Sequence, residues 1–182
     1  LKFQNMLFRN YFFQNGKIAD WSKQVWQFWL SNRNRDGSTN EVYPNERSFC
    51  STAFTTAAFL ETVILLGGAD QWEIELQACA SSLEWLANHD NPEVGNQMVA
   101  SLWALTAFAY LTGKKNDWDN AHKRKEQILS LALVDGTLPE YGGLDLGYQS
   151  ISLSALARIR ALGLDDPSIE KLLCSGINLI EN

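Results

Sequence analysis

The sequence predicts an all-α fold, and three observations carry that expectation. No run of β-branched residues alternates with period two, so strands have no signal. Helical stretches of two kinds, one amphipathic and one nearly uncharged, alternate along the chain. One loop pattern also occurs twice, about a hundred residues apart, as Asp36-Gly37-Ser38-Thr39-Asn40-Glu41-Val42-Tyr43 and Asp135-Gly136-Thr137-Leu138-Pro139-Glu140-Tyr141. Each copy follows an amphipathic stretch and precedes an uncharged one. A fixed-period helix-loop-helix array has this appearance.

The amphipathic stretches come first. Residues 21–32 place Trp21, Val25, Trp26, Trp29 and Leu30 on one predicted face. Residues 71–89 do the same with Trp72, Leu76, Cys79, Leu83 and Leu86, and residues 118–133 end in the apolar group Ile128, Leu129, Leu131 and Ala132. Residues 166–180 carry Ile169, Leu172, Leu173 and Ile177. There Asp166-Pro167 is a start signal, a capping side chain followed by a proline at the first helical position.

The uncharged stretches are residues 48–60, 96–112 and 148–157, rich in Ala, Ser and Thr. A helix apolar on all sides is expected to be wrapped by others, and small residues let neighbours approach. These stretches begin near positions 48, 96 and 148, a spacing of about 50 residues. Gly67-Gly68, Gly113 and Gly163 stand just past their ends, where a left-handed cap is expected. The expected organisation is one helical-repeat domain over residues 1–182, of three to four hairpins, each with one inner and one outer helix.

Composition narrows the function classes. A chain of 182 residues with 46% hydrophobic and 20% charged content can bury a single core. The net charge of −6 argues against nucleic acid, whose phosphates reward Lys/Arg clusters. The one basic cluster, His122-Lys123-Arg124-Lys125, is followed by Glu126 and reads as a solvated helix face. Residues 94–113 carry no charge, but Asn96, Gln97, Ser101, Thr106 and Thr112 interrupt them, so a protein-wrapped helix is expected and no membrane span. Cys50, Cys79 and Cys174 are widely spaced, outside any CxxC pattern, and read as buried free thiols. With no secretory-signal pattern in residues 1–19, the expected location is cytoplasmic.

Amphipathic outer and small-residue inner helices joined by Asp-Gly loops resemble an (α/α) toroid, in which inner helices line a central cavity. The segment from Trp29 to Ser38 is similar to the repeat of terpenoid cyclases and protein prenyltransferases, with Arg33 and Ala132 where that family carries Gln before the Asp. That resemblance implies a pocket for an isoprenoid or other apolar ligand. The family's acidic motifs are absent: no Asp-x-Asp-Asp occurs, and Asp165-Asp166 lacks a third Asp. The segment Asp145-Leu146-Gly147-Tyr148-Gln149-Ser150 has neither the His nor the Cys of a zinc site. No metal and no cofactor is therefore expected.

The stretches 41–48, 96–97 and 140–148 resemble the helical domain of heparinase-like polysaccharide lyases. This resemblance implies a saccharide-processing or saccharide-binding domain, whose cavity mouth would gather the loops 36–48, 91–97 and 135–149. Tyr148, Arg47, Asn96 and Asp145 are then the candidate catalytic residues. A base takes the proton beside a uronate carboxylate while an amide or cation steadies the enolate. Glu41, Tyr43, Glu46, Gln97, Glu140, Tyr141 and Gln149 are candidate ligand contacts. Each has a structural alternative: Glu46-Arg47 as an ion pair bracing its loop, Asn96 as a helix cap, Asp145 as a cap on the Tyr148 amide, and Glu41 and Glu140 as equivalent members of a repeat. A non-catalytic helical scaffold is the other reading, and catalysis stays open. Because an open repeat array exposes its ends, self-association or a missing partner domain is expected.

Overall fold

The computed structural model describes residues 16–133 and 135–181. Residues 1–15, which hold most of the segment without a secretory-signal pattern, lie outside the described residues. Seven α-helices follow in order: α1 (Gly16–Ser31), α2 (Phe49–Leu65), α3 (Glu73–Asn88), α4 (Gly95–Thr112), α5 (Lys115–Leu131), α6 (Leu146–Ala161) and α7 (Pro167–Glu181). A 3-10 turn at Ala69–Gln71 leads into α3, and no strand forms among the described residues. All seven predicted helical stretches are present.

The helices divide into two layers by what they touch. α2, α4 and α6 pack side by side, with α4 in the middle. α1, α3, α5 and α7 lie outside, α3 joining α2 and α4, α5 against α4, and α7 against α6. The uncharged α4 is buried on nearly every side, including Asn96, Gln97, Ser101 and Thr106, as its composition predicts. α6 departs from the expectation: Tyr148, Ser150, Ile151 and Ser154 are exposed on one flank. Its main neighbours among the described residues are α4 and α7.

α1 is held by aromatic packing. Trp26 and Trp29 meet Phe59 of α2 at centroid distances of 5.4 and 5.6 Å, and Phe59 meets Trp72 at 6.1 Å. Trp29 Nε1–H also donates to Thr55 Oγ1 at 3.0 Å. The predicted face of α1 is only half right, because Trp21 and Val25 point to solvent with Phe28. The helix rests on the core through Trp26, Trp29 and Leu30, a narrower seam than the sequence suggested. On α7, Ile169, Leu172 and Leu173 are buried as expected, whereas Ile177 is exposed.

The basic cluster is the clearest correction. His122 and Lys123 are exposed, but Arg124 and Lys125 turn inward. Arg124 donates to the carbonyls of Leu86 and His89, and its guanidinium lies over the Phe49 ring. It thus serves the orphan carbonyls at the end of α3, where a cation also suits the helix dipole. Lys125 reaches Asp166 and Glu126, tying α5 to the start of α7. Burial of the thiols is likewise partial: Cys79 is buried, with its pKa pushed up to about 12 by desolvation, Cys50 is half-buried and Cys174 is exposed.

The two Asp-Gly loops are structural equivalents. Asp36 accepts from the N–H and hydroxyl of Ser38, and Asp135 accepts from the N–H and hydroxyl of Thr137. Gly37 and Gly136 take φ of +90° and +82°, which glycine adopts without a steric penalty. Each glycine also lies against another outer helix. A Cβ on Gly37 would stand 2.4 Å from the Ser81 backbone in α3, and one on Gly136 would stand 2.6 Å from Ser175 Oγ in α7. Arg33, three residues before the first Asp, donates to Ala78 O, Ser81 Oγ and Ser82 Oγ of α3 and completes that docking. No helix is long and apolar enough to cross a membrane among the described residues.

The two loops should differ in tolerance. Gly37→Ala meets backbone that cannot rotate away and is expected to cost more than ~2 kcal/mol. Gly136→Ala meets a serine side chain that can turn, so about half that cost is expected, read as urea midpoints at unchanged m. Acid should loosen the α5–α7 join. Hydrogen bonds from Lys125 and Ser168 hold the Asp166 carboxyl well below its ordinary 3.8. The stability it contributes is therefore present above that value and lost as pH falls through the lowered one. In thermal melts Asp166→Asn should flatten the acid limb of the wild-type profile; an unchanged slope would reject the assignment.

Candidate functional site

Two of the three loops leading into the inner helices are joined directly. The loop before α6 clasps the start of α4: Gly95 N–H donates to Pro139 O at 2.8 Å, and Tyr141 N–H donates to Glu93 O at 2.8 Å. Between them, buried Glu140 accepts from Asn96 N–H and Asn96 Nδ2, both at 2.7 Å. Gln97 and Met98 N–H bond back to Val94 O, so all four leading amides of α4 have acceptors. Asn96 is therefore no N-cap. The capping residue Val94 has no side chain able to serve, and Glu140 caps the helix from outside it. Burial raises the Glu140 pKa, and the two bonds from Asn96 oppose that shift.

Loop 36–48 builds a self-contained unit. Glu46 accepts from the N–H groups of Glu41, Val42 and Tyr43, which lower its pKa. Arg47 pairs with Asp36 at 3.3 Å and not with Glu46. Glu41 accepts from Ser48 Oγ and stays exposed, whereas Glu140, five residues after the second Asp, is buried. The repeat thus keeps its Asp-Gly turn but not a common role for these carboxylates.

The remaining candidates sort in the same way. Asp145 is the N-cap of α6 and accepts from Tyr148 N–H at 2.9 Å. Gln97 is buried and accepts from Asn91 Nδ2, and Gln149 is buried and accepts from Leu138 N–H. Tyr43, Tyr141 and Tyr148 are exposed at 69%, 71% and 43%. Among the described residues no hydrogen bond or ion pair joins Arg47, Asn96 and Tyr148 to one another.

The structure adds residues that the sequence did not single out. Tyr148, Ile151, Ser154 and Arg158 follow one another along a single flank of α6, by helical spacing. With Phe54 of α2 and Trp103 of α4, the Ile151, Ser154 and Arg158 part of this flank bounds a groove of about 320 Å³ across the inner layer. Arg158 closes its far end. Its guanidinium stacks 5.3 Å over Trp103, Nε donates to Glu61 of α2 at 3.0 Å, and Nη1 donates to Ser154 Oγ at 2.6 Å. A cation held over an indole by a carboxylate and a hydroxyl is a fixed polar edge beside an aromatic floor. Trp103 stood in the sequence as one aromatic in an uncharged helix. Only its packing, half-buried where its neighbours are wholly buried, marks it.

Among the described residues no group of three or more His, Cys, Asp or Glu could hold a metal ion. No family model, no curated protein and no solved structure matches this chain.

The clasp is testable by truncation. Glu140→Ala leaves the buried Asn96 amides without an acceptor and is expected to cost about 2–3 kcal/mol. Glu140→Gln should cost less, because the Asn96 amide can turn its oxygen toward the new NH2. Equal losses for the two variants in urea unfolding would mean that the carboxylate's charge matters and its hydrogen bonds do not.

Proposed function

We propose that this chain is a saccharide-binding helical domain built as an arc of an (α/α) toroid, with the inner-layer groove as its binding site. The observation that carries the reading is the pairing of an accessible indole, Trp103, with a fixed arginine, Arg158, on a floor crossing three inner helices. Sugars present C–H faces that stack on aromatic rings and hydroxyls that bond to oriented donors and acceptors. Ser150 and Ser154 supply such groups along the wall. The layering supports an arc, since the inner helices lie side by side and the outer ones jacket them.

The reading is one of binding before catalysis. Lyase chemistry would draw on Arg47, Asn96 and Tyr148 together, and two of these already serve other groups: Arg47 its own loop and Asn96 the Glu140 clasp. The exposed tyrosine rings need no such rearrangement to stack on a sugar.

Calorimetric titration with neutral and uronate oligosaccharides tests this. Binding should weaken at least tenfold in Trp103→Ala and in Arg158→Ala, and stay unchanged in Arg47→Ala. Thermal stability supplies a second readout, since a hundredfold excess of ligand over Kd adds roughly 2.7 kcal/mol. If no saccharide class binds while an isoprenoid diphosphate does, the groove is an apolar-ligand pocket and the proposal fails.

A further inference from the structure

Charge is scarce around the inner groove. Glu61, Arg158 and Arg160 are the charged residues of α2, α4 and α6. Arg160 pairs with Asp165 and with Glu170 of α7. Among the described residues that line the groove, Arg158 alone is charged. Its Nε meets Glu61 Oε1 at 3.0 Å. The groove therefore presents a cation together with its counter-ion, in a chain whose net charge is −6.

Two hydroxyls of the lining differ in what they offer a ligand. Ser150 Oγ–H donates to Gly147 O at 2.7 Å, so its oxygen is left to accept. Ser154 Oγ accepts from Arg158 Nη1 at 2.6 Å and keeps its own hydrogen to donate. A sugar hydroxyl is donor and acceptor at once and can serve both. A carboxylate only accepts, so it has nothing for Ser150. In an oligouronate every ring carries a carboxylate, and the ring stacked on Trp103 brings one to the walls. There it meets a guanidinium already paired with Glu61. Stripping water from the carboxylate then costs more than that balanced pair returns.

We propose that the groove takes neutral sugars and discriminates against uronates, with Glu61 setting the preference. This rests on the saccharide-binding reading above and narrows it. Glu61 stands outside the groove lining and is a positioning residue, acting through Arg158 by holding its side chain and balancing its charge. Phe54, Trp103, Ile151 and Ala155 leave an apolar floor for the C–H face of an uncharged ring.

The test is calorimetric titration of the full chain with hexasaccharides of glucose, mannose and galactose, each beside its uronate counterpart. Low salt keeps charge effects least screened. The neutral member of a binding pair should bind roughly tenfold tighter or more. Glu61→Gln keeps an acceptor for Nε and removes the counter-charge. It should tighten uronate binding severalfold and leave neutral binding nearly unchanged. A residue that only braced α2 against α6 would weaken both ligands when replaced. Uronate binding equal to or tighter than neutral binding in the wild type overturns this proposal and leaves the groove a saccharide site. An unchanged ratio in a folded Glu61→Gln does the same. Should that variant lose its helical circular dichroism, salt dependence in the wild type decides. Neutral binding should be indifferent to salt, and uronate binding should strengthen as salt screens Glu61. Uronate binding that weakens with salt reveals an unbalanced cation and overturns the proposal. Binding of neither member of any pair, or binding unmoved by Trp103→Ala, overturns the saccharide reading itself and this inference with it.

Discussion

The structure depends on how the start of α4 is closed. This helix runs through the middle of the inner layer, and its leading amides are far from water. Unpaired, each would cost about 1–3 kcal/mol. The loop before α6 meets that need with Pro139 O and the Glu140 carboxylate. A negative group also suits the positive end of the helix dipole. Because the acceptors come from about 44 residues along the chain, the clasp does more than cap. It fixes the α6 loop against the α4 loop, and with it the spacing of the inner helices. Gly95 is part of the same closure, since a Cβ there would stand 2.6 Å from Leu138 Cβ.

The outer layer is held by a different kind of contact. Arg124 and Lys125, one turn of α5, reach inward to the end of α3 and the start of α7. The Asp-Gly loops then press their glycines against α3 and α7. Each outer helix is thereby joined to another by polar groups at helix termini, where backbone donors and acceptors lack partners. Packing area alone would leave those groups unsatisfied.

These demands also sort the polar residues by availability. Asn96, Gln97, Glu140 and Gln149 are conspicuous in the sequence because they interrupt apolar or turn-rich segments. All four are buried and bonded to neighbours. Among the groups that stay accessible are the Tyr43, Tyr141 and Tyr148 rings, the Glu41, Glu46 and Arg47 side chains of the first loop, and the half-buried Trp103 with Arg158 over its ring. Of these, Trp103 and Arg158 are the pair that lines a groove, which is why the proposed function places binding there.

Much of the fold was legible in the sequence. The seven helical stretches follow from periodicity. The caps at Asp145 and Asp166 follow from short side chains placed before apolar runs, and the left-handed Gly113 from its position past α4. The Asp-Gly turns repeat because the same local hydrogen bond to Ser38 or Thr137 recurs. Local rules suffice for features whose partners lie within a few residues. The destination of Arg124, the burial of Glu140, the exposure of Trp21 and the groove around Trp103 depend on partners tens of residues away. No periodicity records such a pairing. A charged residue on an amphipathic helix reads as solvated until a helix terminus elsewhere supplies carbonyls for it, and only the tertiary structure brings that terminus within reach.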